Sequence, residues 1–277
     1  MPTRAVGRLV RGRTGHSSDL ENTTVSNPLA PGSLADKRAL VTGSSRGIGA
    51  DTVGYLAEAG AKVVVNYRNK ARRAEQIVEK VVAAGGSAIA VGADLTDHDS
   101  VQAMVDRVVA EWGGIDLLVL NASGGMEADL GEDYALRLNR DAQVDMLQTA
   151  VPHMPAGSRV VFVTSHQAHF VETAETMDEY VPVAKSKRAG ELALRELIPQ
   201  LEAAGIEFVT VSGDMIEGTI TATLLNRLNP GAIEGRRQEV GKLYSVSEFA
   251  AEIALAAVEP IPADHTKLVG DTSGFTA

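Results

Sequence analysis

The sequence predicts one doubly wound parallel α/β sheet, on three observations. Short, nearly all-apolar runs alternate strictly with segments of helical periodicity. Glycines and polar residues punctuate the joins. A cluster of three glycines follows the first apolar run, where a strand gives way to a helix. Strands that are apolar on both faces need helices on both sides, so the alternation implies a single sheet covered front and back.

The elements follow in order. "RALVT", from 38, reads as a buried strand, then a glycine-rich turn and a helix over about 47–59. "KVVVNY" is strand two, and "ARRAEQIVEKVVAAGG" is a helix ended by glycines. "SAIAVGADL" is strand three, and "SVQAMVDRVVAEWGG" is a helix with apolar residues at helical spacing. "IDLLVLNA" is strand four, a helix spans about 132–150, and "SRVVFVTS" is strand five. A helix over about 182–204 leads to "EFVTVSG", strand six. A helix near 246–258 and the strand "TKLVG" complete the sheet. Residues 213–242 break the rhythm and read as a lid over a substrate.

Composition narrows the class. The chain has 277 residues, 44% hydrophobic and 22% charged, enough apolar content for a full core. A net charge of −10 repels nucleic-acid phosphates, so no nucleic-acid partner is expected. The absence of cysteine excludes disulfides, thiolate nucleophiles and zinc–thiolate sites, and fits a reducing cytoplasm. No apolar run approaches the roughly 18 residues a membrane span needs, so no membrane partner is expected. No His/Asp/Glu cluster has metal-ligand spacing, and no metal is expected. Residues 1–34 differ from the rest: Arg4, Arg8, Arg11 and Arg13 precede a polar run. They read as a disordered extension, with the domain occupying 35–277; a transit peptide or anion-binding arm is the alternative.

"VTGSSRGIGADTV" carries the chemistry of the first turn. Gly43, Gly47 and Gly49 let the backbone turn tightly and approach a pyrophosphate, at a helix N-terminus that supplies amides and positive dipole. Ser45, Arg46 and Ile48 belong to the same loop.

These residues resemble the short-chain dehydrogenase/reductase family, and the likeness runs from about 37 to 270. Thr42, Gly43, Gly47, Ile48 and Gly49 match its cofactor motif. Asp94 and Leu95, after strand three, match the pair that contacts adenine. Asn121 and Ala122 match part of its "NNAG" motif, with Leu120 and Ser123 in place of the outer residues. Ser165 matches the catalytic serine, and Asn139 the helix asparagine that holds a catalytic water. Gly213 remains where the family often has Pro-Gly, with Ser212 replacing proline. The resemblance implies a Rossmann-type fold and a hydride-transferring oxidoreductase. It also implies a homo-oligomer, a tetramer built through the helices at 132–150 and 182–204 or a dimer.

The end of strand two bears on the choice of cofactor. NAD enzymes commonly place an acid there for the ribose 2′-hydroxyl. Here Tyr67 and Arg68 occupy the place, and Arg46 lies in the glycine loop. Two guanidiniums and no carboxylate suit a 2′-phosphate, so NADP(H) is expected.

In the family a tyrosine gives the proton and a lysine four residues later favours its ionised form. Four residues after Tyr180 stands Ala184, and the lysines are Lys185 and Lys187. On a helix Lys187 returns to the face of Tyr180, whereas Lys185 lies about 140° away. Lys187 is therefore the expected catalytic lysine, with Ser186 and Ala189 resembling the family's lysine neighbourhood. Pro182 is expected to hold Val181 extended, so that Tyr180 precedes the helix and folds back toward Lys187. The competing view makes Tyr180 a surface residue and both lysines solvated.

The Tyr-x6-Lys spacing also resembles enoyl-thioester reductases. One bacterial enoyl-acyl-carrier-protein reductase type combines it with a TGxxxGxG loop, "NASGG" and "VSGD". The substrate is therefore a ketone, such as a 3-oxoacyl thioester, or an enoyl thioester. A dinucleotide-binding sensor without turnover is the non-enzyme alternative. His166 and His169 are expected to be solvated loop residues, Trp112 packing, and Arg236 and Arg237 a solvated pair or contacts for a cofactor phosphate.

Overall fold

Seven parallel strands hydrogen-bond in the order β3-β2-β1-β4-β5-β6-β7 in the computed structural model, which describes residues 26–126 and 133–276. They are β1 (Arg38–Val41), β2 (Lys62–Tyr67), β3 (Ser87–Gly92), β4 (Leu117–Leu120), β5 (Arg159–Ser165), β6 (Glu207–Gly213) and β7 (Thr266–Val269). The register is continuous through the centre: Leu40 pairs with Val64 on one side and Leu118 on the other.

The two-residue period of the strands divides the core. Ala39, Val41, Val63, Val65, Val161 and Val209 face one layer, with α1 (Gly47–Glu58), α2 (Ala71–Ala83) and α11 (Val246–Ala256) against it. Leu40, Val64, Leu118, Val160, Phe162 and Phe208 face the other. That layer is covered by α3 (His98–Trp112), α5 (Ala142–Ala150), α7 (Val181–Arg195) and α8 (Ile198–Ala203). Apolar runs that looked uniform in sequence thus serve two separate cores, as strands buried on both faces must.

Strand order reverses between β1 and β4, so the loops leaving their C-terminal ends diverge to opposite faces and open a crevice. Gly43 and Asn121 stand on its two banks.

Several expected boundaries change. The helix foreseen at 132–150 is interrupted: α4 (Tyr134–Leu136) passes into a π-turn over Arg137–Asp141 before α5. The helix foreseen at 182–204 is two, α7 and α8. The irregular stretch at 213–242 contains α9 (Ile220–Leu228) and α10 (Ala232–Val240). A short α6 (His166–His169) follows β5 directly. Residues 26–34, assigned to the disordered extension by composition, pack on the domain: Leu29 and Leu34 are buried in the core beside α1. The Asn27 amide donates to the Tyr55 carbonyl at 2.9 Å. Residues 1–25 of that extension, including its four arginines, lie outside the described residues. No helix among the described residues is long and apolar enough to cross a membrane.

Candidate active site

The three loop glycines are required for different reasons. Gly43 and Gly47 have positive φ angles, +63° and +56°, which side chains disfavour. Gly49 is a matter of space: a Cβ there would lie 2.6 Å from the Asn121 amide nitrogen and 2.8 Å from the Ser44 Cα. The loop is fixed from both neighbouring strands. The Thr42 hydroxyl accepts from the amides of Asn121 and Ala122, each at 3.0 Å. The Asn66 side chain accepts from the Gly43 amide at 2.9 Å. The Asn66 amide in turn donates to the Ser44 hydroxyl at 3.0 Å. Asn66 was not singled out from sequence, although a buried asparagine inside the run "KVVVNY" is a polar residue that needs a structural reason. The first turn of α1 carries no acid, and no side chain caps it, so its amides face the crevice unneutralised.

A cleft of about 580 Å³ runs from this loop to the ends of β5 and β6. Gly43, Ser45, Arg46, Gly47, Ile48, Tyr67, Arg68, Asp94, Leu95, Asn121, Ala122 and Ser123 line one end. Ser165, Tyr180 and Lys187 line it further along, and Lys185 is exposed elsewhere. The Ser165 and Tyr180 hydroxyl oxygens are 3.4 Å apart. Tyr180 is buried, contrary to the view of it as a surface residue.

The backbone between Tyr180 and Lys187 differs from expectation. Val181 is not extended: it is the first residue of α7, its amide donating to the Met177 carbonyl at 3.1 Å. Tyr180 itself has right-handed helical angles, φ −98° and ψ −15°. Pro182 sits within the first helical turn, where its missing N–H has no helical partner to lose. Tyr180 and Lys187 thus lie two near-regular turns apart on one face, and both side chains line the cleft.

Asn139, Gly49 and Gly213 stand behind the cleft wall rather than on it. The buried Asn139 side chain donates to the Gly124 carbonyl at 2.8 Å and to the Ser186 hydroxyl at 2.9 Å. Its carboxamide oxygen accepts from the Gly124 amide at 3.2 Å. Its side chain is committed to tying the β4 loop to α7. Gly213 makes room for the Phe249 ring: a Cβ there would lie 2.4 Å from it. Phe249, not Gly213, reaches the cleft.

Four further residues that sequence reading passed over line the cleft with the glycine loop: Asn69, Lys70 and Arg73 after β2, and Tyr134 on α4. The irregular stretch at 213–242 contributes Met215, Ile216, Ile220 and Leu225 to the other end.

The histidines are not solvated. His166 is fully buried, with Nδ1 2.9 Å from the Ser212 hydroxyl and its ring edge-on to Phe275 at 5.4 Å. Burial pushes its pKa down to about 4, against the pull of Asp214. His169 meets the Glu191 carboxylate at 2.8 Å, and Arg188 and Arg195 complete that cluster. Burial opposes charge on Glu191, but His169, Arg195 and Arg188 together outweigh it and hold the carboxyl below its ordinary range. Arg236 is also engaged rather than solvated, whereas Arg237 is ion-paired at the surface, as a solvated charge would be. Arg236 pairs with Asp214 at 2.9 Å and lies over the Phe275 ring, and Arg237 pairs with Glu217 and Glu234. Trp112 packs partly buried against the α3 layer, as expected.

A doubly wound sheet thus carries a glycine cradle at its switch point, with a serine, a tyrosine and a lysine farther along one cleft. The family model "short chain dehydrogenase" matches residues 37–228, and the chain belongs to the short-chain dehydrogenase/reductase family. Among curated relatives, the short chain dehydrogenase mdpC of Emericella nidulans is 30% identical over 87% of this chain and 89% of its own length. The hydroxynaphthalene reductase arp2 of Aspergillus fumigatus is 36% identical over 48% of this chain and 50% of its own. With several other curated relatives the chain likewise spans only about half of their length. A short chain dehydrogenase from Burkholderia cenocepacia, solved in complex with NADP, superposes with a TM-score of 0.71. It is 28% identical, over 86% of this chain and 97% of that one.

Proposed function

We propose that this chain is an NADP(H)-dependent reductase of a ketone, with Ser165, Tyr180 and Lys187 as its catalytic residues. The observation that carries the reading is the 3.4 Å approach of the Ser165 and Tyr180 hydroxyls in the cleft that the glycine loop also lines. Two hydroxyls converging there can both donate to one carbonyl oxygen, where negative charge develops during reduction.

The loop fits a dinucleotide, since the positive φ angles of Gly43 and Gly47 turn the backbone along the cleft at the N-terminus of α1, where a pyrophosphate can approach the amides. The cofactor, bound there, supplies the hydride. Tyr180 gives its proton to the substrate oxygen, and the Lys187 ammonium favours the phenolate left behind. Arg46, Arg68, Lys70 and Arg73 gather positive charge at the adenosine end, and no carboxylate follows β2 directly. That balance supports a 2′-phosphate, and the NADP-bound relative accords with it.

An apolar wall of Met215, Ile216, Ile220 and Leu225 suits a flat or aliphatic ketone, in keeping with the name of the hydroxynaphthalene reductase. The test is NADPH oxidation with hydroxynaphthalene-type ketones, 3-oxoacyl thioesters and 2-enoyl thioesters side by side. Turnover of ketones over enoyl thioesters is expected. Preference for the enoyl thioester would turn the assignment to enoyl reduction. Cofactor binding without turnover of any of them would leave a dinucleotide sensor.

A further inference from the structure

Arg68 does not stand alone at the end of β2. Its guanidinium donates to the Tyr134 hydroxyl, and its central carbon lies 5.7 Å from the centroid of that ring. Tyr134 is buried, whereas Arg68 is exposed, so the tyrosine is the fixed partner and the arginine the one being held. Both line the cleft, from opposite sides of the crevice: Arg68 follows β2, and Tyr134 belongs to α4, beyond β4. Arg46, the other expected phosphate contact, is exposed at the start of α1.

We infer that Tyr134 is a cofactor-specificity residue, which acts by ordering Arg68 for the ribose 2′-phosphate. The inference rests on the NADP(H) reading above. A long arginine side chain loses rotamer freedom when it grips a phosphate, and an acceptor that already holds its fork removes part of that loss. A hydroxyl is suited to this work. It accepts one N–H without neutralising the charge, as a carboxylate would, and leaves the remaining N–H groups for the ligand. Tyr134 is therefore a positioning residue, and its effect passes through Arg68.

The experiment is a double-mutant cycle read by equilibrium binding, without substrate. NADPH and NADH dissociation constants are measured by fluorescence for the wild type, Tyr134→Phe, Arg68→Ala and the double variant. Tyr134→Phe is expected to weaken NADPH about three- to tenfold, the loss of one pre-ordered side chain, and to leave NADH within about twofold. In the Arg68→Ala background the Tyr134→Phe effect should vanish, because the group it positions is gone. Equal weakening of both cofactors, or a Tyr134→Phe effect that persists without Arg68, overturns the inference and makes Tyr134 a packing residue. Should Tyr134→Phe fail to fold, Arg68→Lys serves instead. A flexible ammonium cannot be held as a planar fork, so most of the NADPH preference should go; full retention overturns the inference. Failure of the underlying reading looks different: the wild type would show no preference for NADPH, or Arg68→Ala would leave the preference intact.

Discussion

The hydroxyl oxygens of Ser165 and Tyr180 stand 3.4 Å apart although one ends a strand and the other precedes a helix. The segment between them carries α6, whose His166 is anchored to Ser212 on β6. That pairing gives the first prediction. Tyr180→Phe and Lys187→Ala should each lower turnover by at least ~100-fold, since they remove the proton donor and its charge partner. Lys185→Ala should stay within about twofold of wild type, because Lys185 is exposed away from the cleft. Steady-state kinetics on any accepted ketone decides it. A dead Lys185→Ala beside a normal Lys187→Ala would refute the lysine assignment.

Cofactor choice gives the second prediction. Replacing both Arg46 and Arg68 by alanine should weaken NADPH by at least ~100-fold, since two charge-assisted hydrogen bonds of roughly 1.5–3 kcal/mol each sum to at least about 3 kcal/mol. NADH should be nearly unaffected. Calorimetric titration with both cofactors checks this, and equal losses would remove the case for a 2′-phosphate site.

His166 ties stability to pH. Its folded pKa of about 4 lies below the ordinary value near ~6.5, so the folded state disfavours the proton. The contribution is present above about pH 6.5 and is lost as pH falls toward 4, up to roughly 3 kcal/mol in all. The groups facing the ring are the Ser212 hydroxyl, Asp214, His169, Arg236 and the Val269 backbone, with Phe170 and Phe275 around it. Urea unfolding of wild type and His166→Gln across this range should show a stability gap that is largest near neutrality and shrinks in acid. A gap independent of pH would contradict the assignment.

Glu191 has no exposed side-chain surface and answers three cations, His169, Arg188 and Arg195. Its lowered pKa means that the stabilisation is present above the ordinary carboxylate range and is lost as pH falls through the folded value. Glu191→Gln should cost about 2–3 kcal/mol at neutral pH, because the charge is lost and one acceptor oxygen becomes an NH2 that cannot accept from the cations around it. Chemical denaturation at pH 7 and in acid checks both the size and its decline.

What the sequence made legible divides along physical lines. Strands such as "KVVVNY" and the loop from Thr42 to Gly49 are local signals: apolar runs and glycine spacing dictate them wherever they occur. Tyr180 and Lys187 were likewise legible from the helical repeat. The π-turn at Arg137–Asp141 was not, because its reason lies elsewhere, in α7 passing close by and in Gln143 donating to the Leu138 carbonyl at 2.9 Å. His166 and Arg236 read as ordinary polar residues until Ser212, Asp214 and Phe275 arrive from β6 and the C-terminal segment. Leu29 and Leu34 sit in a polar stretch whose average composition hides two core residues.

The close approach of α7 to the π-turn gives the last prediction. A Cβ built on Gly190 would lie 1.9 Å from the Asn139 carbonyl oxygen and 3.2 Å from the Arg140 Cα. Both obstacles are backbone, so no side chain can rotate away, and α7 itself must move. The displacement would strain the 2.9 Å hydrogen bond from Asn139 to Ser186 and carry Lys187, the next residue, away from Tyr180. Gly190→Ala should therefore cost about 3 kcal/mol, the upper end of what overpacking usually costs. It should also lower turnover on the order of 100-fold, as shifts of about an ångström at a reacting centre do. Gly54→Ala is the control. Gly54 lies inside α1 with nothing within 4 Å of its added Cβ, so alanine there should stabilise by about 0.5–1 kcal/mol through helix propensity. Thermal unfolding and turnover of the two variants, measured together, separate a packing clash from a general intolerance of glycine replacement. If Gly190→Ala is as stable and as active as Gly54→Ala, the tight seating of α7 on the π-turn is not what holds Lys187 in the cleft.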